Sequence, residues 1–167
     1  LVNNKADEMD PWIKTFSKLK AKHGKFSVLG NHDYGDYITW PSATAKQENM
    51  QRLEEVHKEL GFTLMNNTSH RIEKDGESIE IIGIENWGKP PFPQYGDLKK
   101  ATANIDPDAF KILMSHDPSH FDEQVKSYPK KIHLTLSGHT HGMQFGIEIP
   151  GLIKWSPVKY RYPKWAG

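Results

Sequence analysis

The stretch Phe26-Ser27-Val28-Leu29-Gly30-Asn31-His32-Asp33 runs from a short apolar segment directly into a polar turn that carries a histidine. The same arrangement occurs twice more, where the apolar segment 110–114 precedes Ser115-His116-Asp117-Pro118 and the segment 132–136 precedes Ser137-Gly138-His139-Thr140-His141-Gly142. Each apolar segment has the length of a buried strand. Because ligands of α/β sheets gather at the carboxyl ends of the strands, we expect the three histidine-bearing turns to meet at one sheet edge.

The segments between these strands predict helices and a hairpin, and therefore a mixed α/β (α+β) fold. The predicted elements are a helix from Asp10 to about Gly24 that buries Trp12, Ile13, Phe16 and Leu19, a helix from Ser42 to Leu60, a strand over 62–65, a hairpin of 71–74 and 78–84 around Asp75-Gly76, helices over 97–103 and 118–125, an irregular Pro-rich stretch over 87–93, and a last strand over 143–149.

Composition is that of an ordinary globular domain and limits the possible chemistry. The chain has 167 residues, which favours one domain over 1–167, and it contains no cysteine. Thiolate nucleophiles and iron–sulfur clusters are excluded, so any metal must be bound by His, Asn, Asp or Glu. The net charge is +1 and the nearest thing to a basic patch is the aromatic-rich tail 154–164, so we expect no nucleic-acid partner. No apolar run approaches the roughly 20 residues of a membrane span, which favours a soluble domain.

Four of the nine histidines occupy the strand-end turns, namely His32, His116, His139 and His141. The other five have ordinary structural explanations. His23 lies near a predicted helix end, where a cation suits the helix dipole. His57 is expected on an exposed helix face. His70 and His133 lie in or beside strands, and His120 follows His116 closely.

Gly138-His139-Thr140-His141-Gly142 is the strongest local motif. Two residues separated by one point to the same side of an extended segment, and the flanking glycines let the backbone approach an ion. A surface turn that happens to contain two histidines is the alternative. His-x-His pairs occur in many unrelated metal sites, so the motif does not identify a reaction.

Gly30-Asn31-His32-Asp33 adds an amide oxygen, an imidazole and a carboxylate. An amide oxygen is a hard ligand that suits Mn, Fe or Mg. We expect Asp33 to accept a hydrogen bond from His32 and to fix its tautomer. A turn capped by Asn31 and Asp33 is the alternative, but it gives no reason for His32.

In this order the motifs resemble those of the calcineurin-like metallophosphoesterase superfamily, whose last three motifs are Gly-Asn-His-Asp, a single His, and Gly-His-x-His. The motif Gly138 to Gln144 resembles the form found in a bacterial branch of this superfamily, in which the domain often follows membrane segments. The resemblance implies an αββα sandwich and a hydrolase that cleaves a phosphomonoester or phosphodiester with a hydroxide that bridges two divalent ions (Mn, Fe or Zn). It also implies ligand roles for Asn31, His116 and His139 at one ion and for His141 at the other. His32 would protonate the leaving oxygen, with Asp33 in support.

Two motifs of that family are missing from the sequence. No Asp-x-His or Gly-Asp occurs ahead of Asn31. We therefore expect a truncated single domain, incomplete at both ends, that by itself binds one ion or none and is nearly inactive. Missing strands would also expose a sheet edge and invite self-association.

Two other interpretations remain open, a non-catalytic binding or scaffold module on the same fold and a mononuclear metal-binding domain. The intact histidines favour the enzyme. Tyr34, Tyr37 and Trp40 or the Trp87 loop could form an apolar wall over the site, although packing beneath a loop explains aromatic residues equally well. An apolar wall and a membrane-linked branch suit a lipid-linked or nucleotide-sugar phosphoester, and they favour a membrane-tethered parent protein.

Overall fold

Two β-sheets form the centre of the fold in a computed structural model, which describes residues 1–141 and 147–155. A small parallel sheet pairs β1 with β2, the main sheet has the order β3-β4-β5-β6, and β7 and β8 form a separate hairpin. The strands are β1 (Phe26–Ser27), β2 (Thr63–Leu64), β3 (Thr68–Lys74), β4 (Glu77–Gly83), β5 (Phe110–Met114), β6 (Leu134–Leu136), β7 (Ile147–Ile149) and β8 (Ile153–Trp155).

Four short to medium α-helices and three 3-10 turns connect these strands within the described residues. The helices are α1 (Asp10–Phe16), α2 (Ala43–Glu59), α3 (Leu98–Ala101) and α4 (Ser119–Glu123), and the 3-10 turns are Ala6–Met9, Asn31–Tyr34 and Val125–Ser127. None of the helices described over 1–141 and 147–155 is long and apolar enough to cross a bilayer.

Helix α2 begins and ends within one residue of the bounds that the sequence predicts. The Ser42 hydroxyl accepts a hydrogen bond from the backbone N–H of Ala45 (3.1 Å) and so caps the first turn. Leu53, Val56 and Leu60 are buried and pack in one cluster with residues of the N-terminal segment. This cluster holds α2 against the small sheet.

The main sheet combines the predicted hairpin with two parallel neighbours. β3 and β4 pair in antiparallel register around Asp75-Gly76, and β4, β5 and β6 run parallel. Ile82, Ile84 and Leu113 pack with Leu98 of α3 and with Val125. On the other face, Val28 and Met65 lie against Gly83, so the two sheets meet there. The layers are therefore helix, sheet, sheet, helix, as the αββα expectation requires.

The first helix is shorter and more exposed than predicted. α1 ends at Phe16 and not near Gly24, and Trp12, Phe16 and Leu19 are 54%, 42% and 52% exposed. The apolar spacing was compatible with a helix, but spacing does not show what covers the apolar face. Ala6 and Met9 of the preceding 3-10 turn enter the core instead, and only Ile13 of α1 packs against it.

Four further predictions need correction or lie partly outside the described residues. β1 and β6 are shorter than the apolar segments 26–29 and 132–136. His57 is not exposed but only 2% accessible, and its Nδ1 lies 2.8 Å from the carbonyl oxygen of Leu53 in α2. Of the strand predicted over 143–149, only 147–149 falls within the described residues, where it is β7. Residues 156–164 of the basic tail also lie outside them.

Leu53→Ala should lower the free energy of unfolding by about 2–5 kcal/mol, because it leaves a cavity beside α2. Leu53 is 0% exposed in the cluster that joins α2 to the small sheet. Urea denaturation measures the change, and Glu54→Ala at the exposed neighbouring position is the control. Equal, small effects of the two substitutions would contradict this packing.

Candidate metal centre

The turns that follow β5 and β6 extend the pairing of these strands and bring two predicted ligands side by side. The backbone N–H of Ser115 donates to Leu136 (3.0 Å), and that of Gly138 donates to His116 (2.9 Å). These bonds continue the parallel ladder beyond Met114 and Leu136, so His116 and His139 lie at the same edge of the sheet. The Gly30–Asp33 turn after β1 reaches this edge from the other sheet.

Three electron-rich atoms converge where these turns meet. The Asn31 Oδ1 atom lies 3.0 Å from His116 Nε2 and 3.0 Å from His139 Nδ1, and the two nitrogens are 3.2 Å apart. Asn31 is 3% exposed, and its Nδ2 donates to the Tyr37 hydroxyl (2.6 Å). Because the amide nitrogen is engaged there, the amide oxygen is the atom that faces the two imidazoles.

The chemistry of this trio fits a divalent ion. The amide oxygen can only accept, and each neutral imidazole offers one bare nitrogen. Burial lowers the pKa of His116 to about 4, and His139 adds to the shift because two protonated imidazoles would repel each other, so the His116 imidazole is neutral at pH 7. Spacings near 3 Å also match adjacent ligands around an ion with bonds of about 2.1 Å. No three His, Cys, Asp or Glu side chains form such a group in residues 1–141 and 147–155, so the trio depends on Asn31.

Gly30 permits the close contact between the β1 turn and the His116 ring. A Cβ atom at position 30 would lie 2.7 Å from both Cε1 and Nε2 of His116. Any larger residue would therefore push the imidazole away from Asn31.

The Gly-His-x-His turn contains two residues in the left-handed backbone region. His139 has φ 66° and His141 has φ 56°. For residues with a Cβ this conformation costs about 1–2 kcal/mol each. Such strain concentrates at functional sites, where the fold holds a side chain in a required direction. Here it accompanies the turn that presents His139 to Asn31 and His116.

His32 lies beside the site with its Nδ1 atom held by a backbone carbonyl. Its Nδ1 lies 2.9 Å from the carbonyl oxygen of Asn3, and a carbonyl only accepts, so Nδ1 carries the proton. The basic nitrogen of the neutral ring is therefore Nε2. His32 lines a cavity of about 350 Å³ together with Asp33, His116 and His141. The six predicted site residues thus gather around one place, with His141 at the cavity and the trio beside it.

Asp33 has a different role from the one expected. Its Oδ1 accepts from the backbone nitrogens of Leu1 (2.7 Å) and Val2 (3.1 Å), and its Oδ2 accepts from Gly30 (2.8 Å). The expected hydrogen bond from His32 to Asp33 is replaced by the one to Asn3, because the buried carboxylate is already occupied by backbone donors. Asp33 therefore ties the first residues of the chain to the Gly30–Asp33 turn.

The aromatic residues of the site divide into a core residue and a site residue. Tyr34 is 9% exposed and its hydroxyl accepts from the backbone of Asn86 (3.2 Å), so it packs beneath the turn. Tyr37 is 50% exposed, and its ring lies 4.6 Å from that of His32. Sequence reasoning considered Tyr37 as an apolar wall and missed its hydrogen bond to Asn31, for which the sequence carries no signal.

Asp117 was also missed as a site residue. Its Oδ2 lies 3.5 Å from His139 Nε2, and the side chain is completely buried. The available signal was its position directly after a predicted ligand, since carboxylates commonly contact metal-binding imidazoles.

A larger cavity, of about 720 Å³, lies at the opposite end of the main sheet, near the β3–β4 turn. Charges of both signs line it, and Arg71 pairs there with Asp106 at 3.2 Å. Among the residues that the structure describes, no three His, Cys, Asp or Glu side chains converge there as potential metal ligands.

The buried His120 should make folding pH-dependent. Burial lowers the pKa of His120 to about 4, and its ring nitrogens contact Ser115 Oγ (3.0 Å) and Gln124 Oε1 (3.2 Å). Between pH 6.5 and 4 only the unfolded chain takes up this proton, so stability is present above pH 6.5 and is lost as the pH falls. From pH 7 to 5 the loss should be about 2 kcal/mol for this group.

His120→Gln should remove that share of the loss between pH 7 and 5, measured by urea denaturation at both values. Substitution of the exposed His23 by Gln is the control and should leave the loss unchanged. If the loss of stability between pH 7 and 5 were the same in His120→Gln, the pKa of His120 would not be lowered in the folded protein.

Comparison with known proteins identifies the family. The family model described as calcineurin-like phosphoesterase matches residues 1–143. The uncharacterized metallophosphoesterase YkuE of Bacillus subtilis is 32% identical over 87% of this chain and 45% of its own length. A bovine transmembrane protein with metallophosphoesterase domain is 27% identical over 92% of this chain and 34% of its length. The UDP-2,3-diacylglucosamine pyrophosphatase LpxG of Chlamydia muridarum is 25% identical over 83% of this chain and 50% of its length.

The chain thus spans half or less of the length of each of these relatives. No solved structure matches it significantly. Because the family model covers most of the chain, including every residue of the site, this chain belongs to the calcineurin-like phosphoesterase family.

Proposed function

We propose that this chain carries part of the active site of a metal-dependent phosphoesterase that hydrolyses a phosphomonoester or phosphodiester. The observation that supports it is the convergence of Asn31 Oδ1, His116 Nε2 and His139 Nδ1 within 3.0–3.2 Å of one another. Members of this family generally use divalent metals, and neutral imidazole and amide ligands suit Mn, Fe or Zn. The trio would hold one ion, and His141 would contribute to a second.

When bound, divalent ions supply positive charge that stabilises the phosphoryl oxygens and activates water. The protein contributes positioned groups around that charge. His32 keeps its Nδ1 proton on the Asn3 carbonyl, so Nε2 is the atom that gains a proton and donates it to the leaving oxygen. Asp33 holds the turn that carries both Asn31 and His32 through its bonds to backbone donors.

We also propose that residues 1–167 alone hydrolyse phosphoesters slowly. The trio carries no negative charge, and the sequence contains no Asp-x-His or Gly-Asp ahead of Asn31 that could add a carboxylate ligand. A neutral trio can hold a single ion, but a close pair of cations needs anionic ligands to offset their repulsion. A mononuclear metal-binding domain is therefore the second candidate for the isolated chain.

For the substrate, we propose a phosphoester with an apolar or nucleotide-linked group. The support is the half-exposed Tyr37 beside His32 and a relative named as a UDP-2,3-diacylglucosamine pyrophosphatase. A membrane-tethered parent protein is proposed on the same footing, since one relative is named a transmembrane protein. Self-association through β6 is a further proposal, because β6 is an edge strand among the described residues and its Leu134 and Leu136 are 44% and 51% exposed.

Metal binding tests the trio. The chain should bind one Mn²⁺ or Zn²⁺, measured as metal content after equilibration and desalting, and Asn31→Ala or His116→Ala should each remove it. His70→Ala, at a strand residue outside the site, is the control and should retain the metal. No bound ion in the unsubstituted chain, or retention by both trio variants, would overturn the assignment.

His32→Ala separates hydrolysis from metal binding. Hydrolysis of bis(p-nitrophenyl) phosphate, measured in this chain and in any longer polypeptide that contains it, should fall by about 10²–10⁴-fold with metal content nearly unchanged. The exposed His23→Ala is the matched control. Equal, metal-dependent rates in the two variants would overturn the role of His32, whereas no hydrolysis in the unsubstituted protein of either length would favour a binding domain over an enzyme.

A further inference from the structure

We propose that Asp117 is a positioning residue that keeps the proton of His139 on Nε2 and so directs the bare Nδ1 towards Asn31 and His116. This inference rests on the metal site proposed above. It concerns a residue that acts through the opposite side of one imidazole ring.

The two nitrogens of His139 face groups of different character. Nε2 lies 3.5 Å from Asp117 Oδ2, whereas Nδ1 lies 3.0 Å from Asn31 Oδ1 and 3.2 Å from His116 Nε2. A carboxylate attracts an N–H far more strongly than an amide oxygen does. Since the neutral ring has one proton, holding it at Nε2 leaves a lone pair on Nδ1.

The surroundings of Asp117 strengthen this preference by excluding water. Asp117 is 0% exposed, and the Trp87–Pro93 loop covers it. A Cβ atom at position 88 would lie 2.4 Å from Asp117 Oδ2, so glycine is needed for the loop to approach. On the same loop, the Phe92 ring meets the His139 ring edge-on with centroids 4.6 Å apart. Charges interact more strongly in such a dry environment.

The other carboxylate oxygen fixes the direction of the group. Asp117 Oδ1 accepts from the backbone N–H of Ser119 at 2.8 Å. In Asp117→Asn the amide oxygen would keep that bond, because the amide nitrogen cannot accept from an N–H. The amide nitrogen would then face His139 Nε2 as a donor and would move the imidazole proton to Nδ1, where it blocks metal binding.

The test uses Asp117→Asn, with Asp122→Asn in the same segment as control. Calorimetric titration with Zn²⁺ should show an affinity about 10–100-fold weaker for Asp117→Asn and unchanged for Asp122→Asn. In a His139→Ala background, Asp117→Asn should cause no further loss, since its effect passes through that ring. Equal affinities of Asp117→Asn and the unsubstituted protein would overturn the proposal.

A second measurement needs neither metal nor the Asp117→Asn variant. Nitrogen-15 NMR of the histidine-labelled, metal-free protein should show the His139 proton on Nε2, with the resonance assigned from its absence in His139→Ala. A proton on Nδ1 in the unsubstituted protein would overturn the role of Asp117. If the unsubstituted protein binds no Zn²⁺ but the proton is on Nε2, the metal site is refuted while the action of Asp117 on the ring stands.

Discussion

The site depends on holding electron-rich atoms together that would otherwise repel one another. Asn31 Oδ1 and two imidazole nitrogens lie within 3.0–3.2 Å, yet the group can supply few N–H protons to share. Such a cluster persists only when the surrounding fold fixes each member from outside. Tyr37 engages the Asn31 amide nitrogen, Gly30 leaves room for the His116 ring, and the left-handed turn aims His139.

Several residues around the metal-ligand cluster support it without belonging to it. Most of them form hydrogen bonds with backbone groups or fix which nitrogen of a histidine carries the proton. Asp33 binds backbone donors from two segments, and Asn3 sets the protonated nitrogen of His32. The geometry of the site therefore depends on the hydrogen-bond partners of the motif residues as much as on the motif residues themselves. The hydrogen bonds from backbone donors also explain how the Asp33 carboxylate can be buried.

The sequence predicted those parts of the fold in which local chemistry and burial agree. The apolar spacing of the segment 42–60 and the Asp75-Gly76 turn predicted α2 and the β3–β4 hairpin correctly, and the strand-end position of the histidines predicted their common location. The prediction for α1 failed because an apolar spacing does not reveal whether another layer covers it. The contact of Tyr37 with Asn31 could not be derived because it depends on the local path of the loop after Asp33. The position of Asp117 after His116 was a signal, but its contact with His139 depends on how the turns after β5 and β6 meet.

The donor atoms belong to segments far apart along the chain. Asn31 precedes its two partners by 85 and 108 residues and comes from the turn after the small sheet, whereas both histidines follow strands of the main sheet. The cluster therefore exists only when the two sheets are docked against each other. An ion held there would act as a cross-link between two layers of the fold, so its release and the separation of those layers would be thermodynamically linked.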